Sequence, residues 1–219
     1  MYNRGLFLLC EGFLWMHDKA LNIYSQYGED GLVSALMEKI EPTNRYCVDV
    51  GAHDGLFFSN TRNLIEQGWT ALLVEANEQG YKNLVSNSQE YIDSGQVKTV
   101  NCKADVMSPD RTLDELLDEA GAPEEPDYMS IDIDGQEWYV WNSMLKYWPK
   151  VMMVEVQTYP NEDKGRVPVR DTEENQQCGL SQLVHLAQSK GYCTVARTYS
   201  NAIFIRYDFL EKAYQERTN

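Results

Sequence analysis

Two groups of residues in this chain have the types and spacing to do chemistry. The first is the run Tyr46-Cys-Val-Asp-Val-Gly-Ala-His-Asp-Gly55. Apolar residues lead into Asp49, and Gly51 and Gly55 bracket a tight turn. About twenty residues on, a second apolar run, Ala71-Leu-Leu-Val, ends in Glu75. Strand, glycine turn, helix, strand and carboxylate in that order are the layout of a nucleotide-type cofactor site. Glycine lets backbone approach a ligand closely, and a carboxylate at the second strand's tip can accept both hydroxyls of a ribose. The second group is Ser130-Ile-Asp-Ile-Asp-Gly-Gln-Glu137, with Glu155 further along. Alternation of side chains puts Asp132 and Asp134 on one side of an extended segment. Hard oxygen ligands so grouped suit Mg²⁺ or a similar ion, with Asp132, Asp134 and Glu155 as the ligand set. The same residues suit a base alone, with Asp132 or Glu155 taking a proton from a hydroxyl. A structural reading stands beside both: Asp134-Gly135 forms a turn and Glu137 caps the helix that follows.

His53 lies inside the glycine turn. It suits a catalytic base or a contact to a ligand carboxylate, and equally a helix-cap or solvent-facing role. His17 and His185 read as structural. Trp138, Trp141, Tyr147 and Trp148 have helical spacing, so core packing is the default over an aromatic platform for a sugar. Lys164, Arg166 and Arg170 fall in a polar stretch, where they meet an anionic substrate or simply solvate a loop.

Residues 30–40 carry helical spacing, closed by Glu41-Pro42. Strands are then expected at 46–50, 70–74, 97–102, 128–133, 151–156, 192–197 and 202–206. Helices are expected at 57–67, 78–91, 113–120, 138–147 and 180–189. Alternation of this kind means a mostly parallel sheet with helices on both faces. The last two strands are joined too tightly for a crossover helix, so they form an antiparallel hairpin. The irregular stretch 158–177 is long for a compact domain, as functional loops are, and it follows a strand's carboxyl end. It is expected to cover the site.

With 219 residues and 43% hydrophobic content, one α/β domain is favoured. A net charge of −15 argues against passive binding of bare nucleic acid, whose phosphates need Lys and Arg. Five cysteines, an odd number without a C-x-x-C pair, predict a reduced, cytoplasmic protein without structural zinc. The apolar run from Gly5 is broken by Glu11 and is too short for a membrane span. Residues 5–16 read as an arm that packs on something, with a homo-oligomer interface or a lid as the alternatives.

The glycine turn, the acid ending the second strand, Asp105-Val106 after the third and the terminal hairpin together resemble a class I S-adenosylmethionine-dependent methyltransferase. The details are closest to the FkbM-like methyltransferase family. Besides the runs above, the resemblance rests on Ser25-Gln-Tyr-Gly-Glu-Asp-Gly31, Ser59-Asn-Thr61, Leu73-Val-Glu-Ala-Asn77, Val154-Glu-Val-Gln157 and Asn201-Ala-Ile-Phe-Ile-Arg206. It covers residues 25 to 207, which leaves 1–24 as an N-terminal arm and 25–219 as the methyltransferase domain. It implies a Rossmann-like seven-stranded sheet and S-adenosylmethionine bound at the strand tips. Asp49, Gly51, Ala52 and Gly55 would border the methionine part, and Glu75 the ribose. Ala76, Asn77, Asp105 and Val106 would flank the adenine. Ser25-Gln26 and Glu29-Asp30 would close over the site. Glu155 would stand next to Asp132 on the neighbouring strand. The activity implied is O-methylation of a hydroxyl on a glycan or glycosylated small molecule, the acceptor activated by Asp132, Glu155 or His53, or by a bound metal. The turn departs from the pattern in carrying Ala52-His53 where many such enzymes place Gly, and Glu155-Val-Gln157 replaces a common acid-Asn pair. Competing readings are a non-catalytic binding module, a nucleic-acid methyltransferase, and a phosphatase suggested by Asp132-Ile-Asp134.

Overall fold

A computed structural model describes residues 11–104, 111–156 and 178–214. Seven strands form one sheet: β1 (Tyr46–Val50), β2 (Thr70–Glu75), β3 (Val97–Asn101), β4 (Tyr128–Ile131), β5 (Val151–Glu155), β6 (Tyr192–Arg197) and β7 (Asn201–Arg206). Their order is β3-β2-β1-β4-β5-β7-β6. The first five pair in parallel, and β7 runs antiparallel to both β5 and β6. The expected hairpin is therefore present, with its second strand inserted next to β5. The helices are α1 (Glu29–Ile40), α2 (Arg62–Glu66), α3 (Glu78–Asp93), α4 (Leu113–Ala120), α5 (Glu137–Ser143), α6 (Leu180–Ser189) and α7 (Leu210–Tyr214), with a 3-10 segment at Glu11–Lys19.

Strand alternation divides the core in two. Val48, Val50, Leu72, Val74, Met129 and Ile131 face α4, α5 and α6. Cys47, Ala71, Leu73, Val97 and Tyr128 face α1, α2 and α3, together with Ala213 of α7 and Phe13 and Met16 of the 3-10 segment. Strands covered on both faces read as near-continuous apolar runs, as β1 and β5 do here apart from Asp49 and the terminal Glu155. Of the arm, the described part thus buries two side chains in its own chain's core. Trp141 and Tyr147 are buried, as the core reading of the aromatic group expects, while Trp148 stays 45% exposed. His185 is exposed on α6. No helix among the described residues is long and apolar enough to cross a membrane.

Three expected elements differ in extent. The helix expected over 57–67 shortens to α2, because residues 51–61 form a loop in which Asp54 Oδ1 accepts the backbone N–H groups of Leu56 (3.0 Å) and Phe57 (2.8 Å). Local carboxylate-to-backbone bonds of this kind compete with helix. The strand expected to Ile133 ends at Ile131, so Asp132 and Asp134 do not sit on an extended segment. Asp134, Gly135 and Gln136 all have positive φ, at 60°, 130° and 74°, and turn the chain sharply into α5. That helix begins at Glu137 and stops at Ser143, short of Tyr147. Residues 105–110 and 157–177, with Asp105, Val106 and the long polar stretch, lie outside the described residues.

Candidate functional site

The strand order reverses between β1 and β4: the chain runs outward through β2 and β3, then returns to the other side of β1. Ligands in open α/β sheets bind at the carboxyl end of such a switch point. The backbones of the two strand tips meet there. The Asp132 N–H donates to the Val50 carbonyl at 2.9 Å. Gly51, at φ 93°, leaves no room for a side chain, since a Cβ there would strike the Asp132 carbonyl oxygen. The Gly51 and Ala52 N–H groups both donate to the Val74 carbonyl, at 2.9 and 3.0 Å. The glycine requirement at position 51 comes from the protein's own backbone packing. Gly55, at φ 69°, borders no cavity at the switch point, and a Cβ on it would meet Leu84 of α3.

Two cavities open on either side of this junction and share Gly51, His53, Asp132 and Asp134 as their common wall. The first, about 470 Å³, lies over β1, β2 and β3. Val50, Val74, Ala104 and Ile133 give it apolar walls, and Glu75, Ala76 and Asn77 border it. Glu75 is buried, and its carboxylate is held from two sides. Oε2 accepts the His53 N–H at 2.7 Å, and Oε1 accepts the Asn77 N–H at 2.6 Å. A carboxylate has about four acceptor positions, so each oxygen keeps capacity for a hydroxyl. Asn77 also caps α3, its Oδ1 accepting the Gly80 N–H at 2.8 Å.

The second cavity, about 400 Å³, lies over β4, β5 and the β6–β7 turn. Its acids are Asp49, Asp132, Asp134 and Glu155. Asp49 is buried and accepts the Thr61 hydroxyl at 2.8 Å. Burial, and then the charges of Asp132 and Glu75, push its carboxyl up to about 7 against the hydrogen bonds from Thr61 and Ser130. Asn60 donates to Ser130 Oγ (3.2 Å) and to Asp132 Oδ2 (3.3 Å). Asp132 and Glu155 line the same wall, and the charge of Asp132 favours the protonated form of Glu155. Burial raises the proton affinity of both, and the surrounding carboxylates raise it further. The shift is larger for Glu155, which faces Asp132, Glu137 and Asp134. Of the two, Glu155 is the more readily protonated.

Glu155 Oε2 also accepts the Asp134 N–H at 3.1 Å. Glu137 folds back on the same turn, its Oε1 accepting the N–H groups of Gly135 (2.6 Å) and Ile133 (3.3 Å). The Asp134-Gly135 turn is as the structural reading expects, but Glu137 holds that turn and does not cap α5, whose N-cap Gln136 has no side-chain cap, and Asp134 itself is exposed at the cavity wall. Among the described residues no three His, Cys, Asp or Glu side chains are disposed to hold a metal ion. His53 borders both cavities with a 66% exposed ring, 3.7 Å from Asp54.

Of the four residues expected to close over the site, Gln26 alone reaches the second cavity. The others build its support. Asp30 Oδ2 gathers the N–H groups of Ile23, Tyr24 and Ser25 within 2.8 Å. Glu29 accepts the Thr198 hydroxyl (2.6 Å) and the Asn201 amide (3.2 Å), tying α1 to the β6–β7 turn. Sequence reasoning missed Cys102, Lys103, Ala104 and Gln136 in the first cavity, and Phe57, Phe58 and Ser200 in the second. Position after a strand tip was the one signal available for most of them.

No protein-family model and no curated protein matches the sequence. Solved structures do match. A protein provisionally assigned as a caffeoyl-CoA O-methyltransferase from Staphylococcus aureus aligns at a TM-score of 0.58 and 13% identity, over 88% of each chain. One provisionally assigned as an O-methyltransferase from Klebsiella pneumoniae aligns at 0.55 and 11% identity, over 89% of this chain and 87% of that one. The magnesium protoporphyrin IX methyltransferase of Synechocystis PCC 6803, solved with S-adenosylmethionine bound, aligns at 0.50 and 12% identity, over 81% and 77%. At these identities the likeness is one of fold: the chain has the seven-stranded, Rossmann-like architecture of class I methyltransferases.

Proposed function

We propose that this protein is an S-adenosylmethionine-dependent O-methyltransferase, acting on a hydroxyl of a glycan or glycosylated small molecule. The observation that carries the reading is the pair of cavities meeting at Gly51 and Asp132, one built around Glu75 and the other around Asp132 and Glu155. Glu75 fits a ribose, with both oxygens fixed by backbone N–H groups and acceptor capacity left over. The apolar walls of the same cavity fit an adenine. Bound there, S-adenosylmethionine supplies a methyl group already activated on sulfur. The protein's task is then to align the acceptor in line and remove its proton. Asp132 takes the hydroxyl proton, Glu155 beside it being the more readily protonated of the two, and Asn60 holds the Asp132 carboxylate in place. In this reading His53 forms part of the wall between the cavities. This reading takes a carboxylate base in place of a carboxylate-bound Mg²⁺, since no three such side chains among the described residues are disposed around an ion.

Titration calorimetry with S-adenosylhomocysteine tests the donor site. Glu75→Ala removes hydrogen bonds to a charged group, each about 1.5–3 kcal/mol, and is expected to weaken binding at least about tenfold. Unchanged affinity in a folded variant, or tighter binding of a nicotinamide dinucleotide, would overturn the assignment.

A further inference from the structure

The second cavity has one wall that hydroxyl activation does not use. Phe57 and Phe58 line it, 62% and 46% exposed, their rings packed against each other with centroids 3.8 Å apart and planes tilted by 41°. Large aromatic rings left open to solvent at a cavity mouth need an occupant to recover their burial. The backbone beneath them is held in an unfavourable shape. Phe58 has φ 57°, in the left-handed region that a bulky residue rarely adopts. Strain of this kind persists where the surroundings over-determine it, and it clusters at ligand clamps.

The surroundings here do over-determine it. On one side, Asp54 Oδ1 fixes the N–H groups of Leu56 and Phe57, and the Asp54 carbonyl accepts the Asn87 amide of α3 at 2.9 Å. On the other, Ser59 Oγ accepts the Arg62 N–H at 3.1 Å at the start of α2. Arg62 is buried and donates to the Asn87 carbonyl at 3.0 Å. The loop is thus braced at both ends against α3, and the two rings are presented in advance of any ligand. A glycine at position 58 would adopt the same backbone without strain, so the ring is kept in spite of the local cost.

The chemistry of the wall narrows what it meets. Phe carries no polar handle, unlike Tyr or Trp, so the pair recognises a wholly apolar face. The remaining described wall is mostly polar: Asn60 on the 51–61 loop, Asp132 and Glu155 at the strand tips, and Ser200 and Asn201 on the β6–β7 turn. Asn201 is 4% exposed, and its Oδ1 has no hydrogen-bond partner. Its orientation is fixed because Nδ2 must face the Glu29 carboxylate. A buried acceptor without a donor is costly until one arrives.

We propose that Phe57 and Phe58 are the acceptor-specificity platform of this site, selecting a hydroxylated acceptor that carries a flat apolar ring, with that ring stacked on the phenylalanine pair and its hydroxyl-bearing part turned to Asp132 and Asn201. The proposal rests on the methyltransferase reading for the identity of the cavity. Within that reading it names the acceptor class as a glycoside with an aromatic or similarly flat apolar aglycone, as opposed to a free sugar.

The test uses the full chain saturated with S-adenosylhomocysteine, with phenyl β-glucoside and methyl β-glucoside as probes and ligand-observed NMR as the readout. The phenyl glucoside is expected to bind at least about tenfold more tightly than the methyl glucoside. Phe57→Ala and Phe58→Gly should each bring the two probes to within about twofold of one another. S-adenosylhomocysteine affinity should stay unchanged in both. Phe58→Gly should also melt at the same temperature as the parent or higher, which separates a platform from a packing role. Equal binding of the two probes by the parent, or a preference that survives both substitutions, would overturn the platform. If S-adenosylhomocysteine itself does not bind, the methyltransferase reading fails first and the platform falls with it.

Discussion

Asp132 and Asp49 stand one strand apart, and each makes a different prediction. Asp132 is the residue whose ionised form the reaction needs. Asp132→Asn should leave donor affinity within about twofold and lower turnover by about 10²–10⁴, the usual contribution of a general base. Turnover of the parent should fall on acidification at a pH above the ordinary carboxylate range, because burial raises the Asp132 proton affinity. A base that needs no metal should also keep its activity in excess chelator, and loss of activity restored by Mg²⁺ would reinstate the metal. Asp49 concerns stability. Its folded-state carboxyl lies near 7, against an ordinary value of 3.8. The folded chain therefore holds a proton that the unfolded chain releases between those values, and stability must fall as pH rises from about 4 to about 7, then level off. Each tenfold difference in proton affinity between the two states is worth about 1.4 kcal/mol, so the total is a few kcal/mol. Asp49→Asn should flatten this slope in denaturant titrations and be more stable than the parent at pH 8. A slope unchanged by the substitution would show that Asp49 is not its source.

At the scale of elements, the strands were legible and the tips that carry chemistry were less so. Strands β1 and β5 are buried on both faces, so every residue had to be apolar or paired, and the runs stood out. Helix α4 was expected over 113–120, as found, with Gly121 in the left-handed region behind it; the reciprocal capping box of Thr112 and Glu115 is a further local signal, which the structure adds. Residues 57–61, which belong to the loop 51–61, read as the start of a helix running on to 67. What decides it is Asp54, whose side chain captures two backbone N–H groups, and the positive φ of Phe58, neither of which periodicity registers. After β4, of the two readings of the segment, the turn holds and the extended one does not. Alternation favours an extended Asp132-Ile-Asp134, whereas Glu137 and Glu155 draw the backbone N–H groups of residues 133–135 into a turn. The carboxylates were correctly expected near one another, but through the adjacency of β4 and β5 and not through strand alternation. Nothing local could place Asn201 beside Glu29, since the two are 172 positions apart and meet only once the hairpin has inserted next to β5.

For the molecule as a whole, the two ends of the sheet do different work, and this separates stability from function. Acids crowd the carboxyl ends of the strands, where they repel one another and are kept for chemistry. At the opposite end, Lys150 and Asp127 precede β5 and β4 and form an ion pair at 2.6 Å, only 2% and 0% exposed. Asp127 also accepts the N–H groups of Thr43, Asn44 and Arg45 within 3.0 Å, so the turn that leads into β1 is threaded through the same carboxylate. Lys150 in turn donates to the Thr43 hydroxyl at 2.6 Å and lies 5.2 Å from the Phe209 ring centre. One buried pair thus joins the starts of three neighbouring strands. Replacing such a pair as a whole with apolar residues can be neutral, but removing one partner strands the other charge, at a cost of about 3–5 kcal/mol. Lys150→Met should therefore destabilise the fold by about that amount in urea titrations. Donor affinity at temperatures where the variant is folded should stay at the parental value, because the pair stands a full strand length from both cavities. Lys150→Arg should recover only part of the stability, since its planar fork must fit a space shaped for a compact ammonium. A variant whose donor affinity falls in step with its stability would mean that the two ends of the sheet are coupled, and that the binding cavities are held in shape by the fixed end.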